Sequence, residues 1–110
     1  MTITVLLADD HTLLREGLRG LLEKEGIQVM GEAADGRSAV RLARELAPDV
    51  VLMDVAMPDL NGVEATRQIV GESPQAKVIG LSMHSTKRMV LEMLRAGALG
   101  YVHKASAFEE

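Results

Sequence analysis

The sequence predicts an α/β fold: a doubly wound sheet of five parallel strands. Three observations lead there. Val50-Val51-Leu52-Met53 is a short apolar run that ends abruptly in Asp54 and is followed by a loop with Pro58 and Asn61-Gly62. Such a run suits a strand covered on both faces. A second run, Ile3-Thr4-Val5-Leu6-Leu7-Ala8, ends in Asp9-Asp10. Segments of helical spacing alternate with short apolar runs along the whole chain, the pattern of βαβ units. No repeat, low-complexity tract or linker interrupts it.

The first strand is expected at about Ile3 to Ala8. Leu14, Leu18, Leu21 and Leu22 recur at helical spacing through roughly His11 to Glu25, and Gly26 ends that helix. Ile27, Val29, Gly31 and Ala33 alternate with other residues, as in a half-covered edge strand. Asp35 caps a helix of about Gly36 to Leu46, with Val40, Ala43 and Leu46 inward and Pro48 closing it. The Val50–Asp54 strand follows. A helix of about Val63 to Val70 turns Val63, Thr66, Ile69 and Val70 to one side and is terminated by Gly71 and Pro74. Val78 to Ser82 is a fourth strand, ending in a hydroxyl. Ser85 is expected to cap a helix to Ala96, with Met89, Val90, Met93 and Leu94 inward and Gly97 as its stop. Gly100 to His103 is a fifth strand, and Lys104 follows directly. Ser106-Ala107-Phe108-Glu109 matches a capping box, so a final helix is expected to be cut just after it starts, within a single domain of residues 1–110.

Right-handed crossovers and five strands favour the order 2-1-3-4-5, the flavodoxin-like arrangement, over a six-stranded dinucleotide fold. The first and third strands are then neighbours, and Asp9, Asp10 and Asp54 meet at their carboxyl ends. Ser82 and Lys104 reach the same rim. With 110 residues, 47% of them apolar and 25% charged, the chain has the composition of one globular domain. A net charge of −4 argues against nucleic-acid binding by this segment alone. It has no cysteine and so no disulfide framework or thiolate metal site. No signal peptide or membrane span is evident, and a cytoplasmic location without membrane contact is the expectation.

Three carboxylates in one pocket repel one another unless a cation binds there. Asp10 and Asp54, with Asp9 acting through water and the Ala56 carbonyl as a further ligand, suit Mg²⁺. Lys104 and Ser82 would then balance and hydrogen-bond an incoming phosphoryl group. A carboxylate can itself accept that group as an acyl phosphate, and Asp54, alone at the centre of the sheet, is the candidate acceptor. Ala56 and His84, two residues beyond Asp54 and Ser82, lie where an attacking water would enter and are expected to tune the lifetime of the phosphoryl group. His11, His84 and His103 share no metal-ligand spacing and read as loop or strand-end residues. The methionines read as core fillers.

Asp9-Asp10, Asp54 with Met57-Pro58 and Gly62 downstream, Ser82, and Tyr101 three residues before Lys104 together resemble a bacterial response-regulator receiver domain. The resemblance covers essentially the whole chain. Ala8-Asp9-Asp10-His11 and Gly100-Tyr101-Val102-His103-Lys104 are most similar to receivers of NarL/LuxR-type transcription factors. The resemblance implies that Asp54 takes a phosphoryl group from the phosphohistidine of a sensor histidine kinase. It also implies Mg²⁺ at Asp9 and Asp10, phosphoryl contact by Lys104, a switch hydroxyl on Ser82 and a coupled aromatic in Tyr101. Dimerisation on phosphorylation and DNA binding through a domain outside this chain are implied as output. Two features depart from the pattern: Ala105 stands where many receivers carry Pro, and the last helix is essentially missing. The loss of that helix is expected to lower stability or promote self-association.

Other functions fit less well. A haloacid-dehalogenase-type phosphatase needs a second acid two residues after the acceptor, and that position is Ala56. A nucleotide or flavin site needs a Gly-rich phosphate cradle, and the first strand leads instead into Asp9-Asp10-His11-Thr12. A receiver-like module that no longer takes phosphate would have no use for the clustered acids.

Overall fold

Apolar runs too short to span a helical face, alternating with amphipathic stretches, fold in the computed structural model into β1 Thr4–Ala8, α1 Thr12–Lys24, β2 Gln28–Ala33, α2 Gly36–Leu46, β3 Val50–Asp54, α3 Gly62–Glu72, β4 Lys77–Ser82, α4 Lys87–Ala96 and β5 Gly100–His103. The structure describes residues 2–83 and 86–104. All strand pairs are parallel and the order is β2-β1-β3-β4-β5, as expected.

Side chains of successive strand residues point to opposite faces, and this divides the core. Leu6, Ala8, Val51 and Met53 pack with Ala39, Val40, Ala43, Ala65, Ile69 and Met93 under α2, α3 and α4. Val5, Leu7 and Val29 pack with Leu18 of α1 and Leu81 on the other face. At the amino end of the strands, Asp49 fastens β3 to β1. Its Oδ2 accepts hydrogen bonds from the Thr4 amide (2.8 Å) and hydroxyl (3.0 Å).

Asp35 caps α2, accepting from the Ser38 amide at 2.8 Å. Helices α1, α2 and α4 and strands β3 and β5 match the expected spans within a residue or two. Several local expectations are corrected. Helix α3 starts earlier, because Asn61 is its cap and accepts from the Glu64 amide at 3.0 Å. It also runs through Gly71, which is exposed and meets nothing where a Cβ would stand. A glycine there costs only about 1 kcal/mol, and burial of Ala65, Thr66 and Ile69 holds the helix past it. Helix α4 is capped by Thr86, whose hydroxyl accepts from the Met89 amide, rather than by Ser85. Leu94, expected inward, is 44% exposed, and Leu21, which shares helical spacing with Leu14, Leu18 and Leu22, is 41% exposed. They lie at the margins of their helices' apolar stripes. Ser85, the capping-box residues 106–109 and the Lys104–Ala105 bond fall outside the described residues.

Candidate functional site

Strand register assembles the site. Ala8 pairs with Met53, so Asp9 comes abreast of Asp54. Asp54 pairs with Leu81 and Ser82 with His103, so Ser82 and Lys104 each sit one step further along the same edge. The turn after β3 is held tightly. A Cβ on Gly62 would lie 2.1 Å from the Asp54 carbonyl oxygen, so only glycine lets α3 start against the backbone of Asp54. The Gly62 amide donates to the Val55 carbonyl at 2.8 Å.

The centre of the cluster is an ammonium between two buried acids. Lys104 Nζ is 2.8 Å from Asp9 Oδ2 and 3.2 Å from Asp54 Oδ2. All three side chains are almost wholly buried, Lys104 included at 2% exposure. Among the described residues, neither Oδ2 receives a well-directed hydrogen bond despite this proximity. Asp54 Oδ1 accepts from the Ala56 amide at 3.2 Å. Asp9 Oδ1 accepts from the His11 amide at 2.8 Å, and the Asp9 carbonyl accepts from Arg15 Nη1 at 2.7 Å. Asp10 is more open to solvent, 33% exposed at its side chain.

One donor atom from each of Asp9, Asp10, His11 and Asp54 lies within 4.8 Å of all the others. Three carboxylates thus face a single ammonium. Burial and then the charge of Asp9 push the Asp54 carboxyl up to about 6, against the pull of Lys104. The residues fit a metal: two buried carboxylate oxygens lack a directed donor, and the cluster holds excess negative charge.

His11, Asp54, Ala56, Ser82, Met83, Met89 and Lys104 line a shallow cavity of about 210 Å³. Ser82 and Ala56 therefore line the same cavity as Asp54 and Lys104. Tyr101 does not line the cavity. Its ring lies over Gly80, where a Cβ would come within 2.9 Å of it, and its hydroxyl is buried with no hydrogen bond among the described residues. His84 lies outside the described residues. A larger cavity of about 300 Å³ at the opposite end of the sheet, lined by Pro48, Asp49, Ser73 and Lys77 among others, gathers no comparable set of charges.

His11 lies in the loop after β1, as its sequence context suggests, yet its Nδ1 is 3.1 Å from Asp9 Oδ1, 3.2 Å from Asp10 Oδ1 and 3.4 Å from Lys104 Nζ. Metal-ligand spacing between histidines is the wrong signal here. The usable one is adjacency to Asp10 at the mouth of the first crossover.

A family profile described as the response regulator receiver domain matches residues 5–110. The response regulator UvrY of Escherichia coli K12 is 46% identical over 109 residues, covering 98% of this chain and 50% of that protein. A LuxR-family two-component response regulator from Aurantimonas sp. SI85-9A1 superposes with a TM-score of 0.91 at 42% identity, over 96% of this chain and 76% of that one. CheY in a CheX-CheY-BeF3-Mg complex from Borrelia burgdorferi gives a TM-score of 0.90 at 26% identity, over 97% of this chain and 84% of that one. The chain spans about half the length of the curated relatives it matches.

Proposed function

The chain belongs to the response regulator receiver family, of the NarL/LuxR type, and from that premise we propose that Asp54 is its phosphoacceptor. An Asp54 oxygen attacks the phosphorus of a kinase phosphohistidine, the P–N bond breaks, and the histidine leaves with its electron pair. The observation that carries this reading is the burial of Asp54 beside Asp9 and Lys104, with Nζ at 2.8 and 3.2 Å from the two carboxylates.

Asp10, Asp54 and the Ala56 carbonyl, with Asp9 through water, are the groups to hold Mg²⁺. An ion held there would supply positive charge to offset the charge of the phosphoryl oxygens. The Borrelia CheY relative is named as a complex with BeF3 and Mg, which supports the same pairing here. Lys104 contacts the transferred group with an ammonium already desolvated by the fold. Ser82, at the carboxyl end of β4, donates its hydroxyl to a phosphoryl oxygen. That pull draws the end of β4 toward Asp54, and Tyr101 of β5, packed on Gly80 of β4, responds. The outcome is a population shift between two surfaces rather than turnover.

The chain acts as one receiver domain in the cytoplasm; no helix among its described residues is long and apolar enough to cross a membrane. Dimerisation on phosphorylation, and transcriptional control through a DNA-binding domain in the remainder of a longer protein, follow from the LuxR-type relatives. Ala56, small and exposed beside Asp54, leaves the water path open, with His84 as the second tuning position. A bulky or acidic residue in place of Ala56 changes the rate of acyl-phosphate decay.

Acetyl phosphate and Mg²⁺ test the central claim. The expected product carries one phosphoryl group, labile to hydroxylamine, on Asp54 and is lost in Asp54→Asn. Labelling elsewhere, or release of phosphate over many turnovers, refutes it.

A further inference from the structure

The peptide that joins Asp9 to Asp10 is gripped from outside the acidic cluster. Asp9 is the first residue past β1, and the last pair of the β1–β3 register is Ala8 with Met53. The amide of Asp9 donates to the Ala33 carbonyl at 2.9 Å. Its carbonyl, half of the Asp9–Asp10 peptide, accepts from Arg15 Nη1 at 2.7 Å. Arg15 is itself anchored. Its Nε donates to Glu32 Oε1 at 2.8 Å, and the other oxygen of Glu32 accepts from Arg19 Nη1. The Arg15 and Glu32 side chains are only 16% and 25% exposed. Glu32 pairs with Leu7 in the sheet, so β2 delivers its carboxylate near the end of β1 and beneath α1. The planar guanidinium uses two edges of its fork at once, and so forms a strut from the edge strand to the peptide between the two acids.

We propose that Arg15 is a positioning residue for the acid pair and thereby sets the affinity of the pocket for Mg²⁺. The inference rests on the metal-site reading above and extends it to a residue outside the pocket. The side chains of Asp9 and Asp10 leave from the two ends of one planar peptide. Holding its carbonyl toward α1 limits the directions both carboxylates can take. Charge alone predicts the opposite sign for the loss of Arg15. Removing a cation close to three carboxylates strengthens their attraction for Mg²⁺, whereas releasing the peptide weakens binding.

Calorimetric titration of the intact chain with Mg²⁺ separates the two, on the wild type, Arg15→Ala, Arg15→Lys, Asp49→Asn and Asp54→Asn. Arg15→Ala is expected to weaken Mg²⁺ by about tenfold or more, the scale on which groups behind metal ligands act. Arg15→Lys keeps the charge but replaces the fork by a single point, and should weaken Mg²⁺ by about threefold. Asp49→Asn loosens β1 from β3 at the far end of the sheet. It should lower Tm yet leave Mg²⁺ affinity within about twofold of wild type. Circular dichroism checks that each variant is folded at the titration temperature; if Arg15→Ala is not, Arg15→Lys carries the test. Tighter or unchanged binding in either folded Arg15 variant overturns the positioning role. Weakening by Asp49→Asn as large as that by Arg15→Ala also overturns it, because general loosening then suffices. A wild type that binds no Mg²⁺, or binding that Asp54→Asn leaves untouched, overturns the metal site itself and this inference with it.

Discussion

Replacing Asp54 by asparagine in metal-free buffer isolates the electrostatic cost of the cluster. The Asp54 carboxyl rises from an ordinary 3.8 to about 6 in the folded chain, through burial and the Asp9 charge. Between those values the folded chain holds a proton that the unfolded chain has released. Stability therefore falls as pH rises through this window, with no cost below about 4 and the full cost above about 6. That rise corresponds to roughly 3 kcal/mol. Asparagine keeps the shape and the acceptor for the Ala56 amide, but sets an NH₂ group near Lys104, so a gain of about 2 kcal/mol is the working figure. For a chain of this length that raises Tm by about 8 °C. Thermal unfolding in EDTA, followed by circular dichroism, measures it. The gain should be full at neutral pH and vanish near about pH 4, where Asp54 is protonated in wild type as well. Saturating Mg²⁺ should stabilise the wild type and narrow the gap. A variant no more stable than wild type at neutral pH, or a gain of equal size at both pH values, would refute the reasoning.

Other perturbations probe the scaffold. Gly62→Ala drives a methyl group into the Asp54 carbonyl at 2.1 Å and should lose about 2–3 kcal/mol in urea unfolding along with most acetyl-phosphate labelling; wild-type labelling would show that the β3–α3 turn yields freely. Glu32 accepts from Arg15 Nε at 2.8 Å and from Arg19. Burial raises its carboxyl, but these two donors outweigh that and hold it below its ordinary value. Its contribution is present above the unfolded-state pKa and lost as pH falls through the lower folded value. Glu32→Gln should therefore cost about 0.5–1 kcal/mol at neutral pH in denaturant titrations, and the difference should close in acid. Ala47 ends α2 in the left-handed region at φ 47°. Ala47→Gly should raise stability by roughly 0.5 kcal/mol, or about 2 °C in Tm, the relief of strain exceeding the added chain entropy.

Much of this protein follows from local chemistry along the chain. Val50–Met53 and Val5–Ala8 are too short and too apolar for anything but covered strands, and acids directly after both runs mark the sheet edge where ligands bind. Alternation with helical stretches then leaves few topologies, so strand order and the meeting of Asp9, Asp54, Ser82 and Lys104 are legible in one dimension. Helix ends were less so. Asn61 and Thr86 cap their helices because of where the preceding loops deliver them, and neighbouring Gly62 and Ser85 offer competing local signals. Tertiary structure alone decided three things. It buried the Lys104 ammonium between two carboxylates, a result of parallel register across β1, β3, β4 and β5. It required a bare glycine at position 62, because α3 begins against the backbone of Asp54. It turned the ring of His11 into the cluster, since the first residue after the acid pair leaves the sheet at an angle set by how α1 packs. Spacing reports which residues share an element, but side-chain direction at a strand end depends on packing between elements distant in sequence.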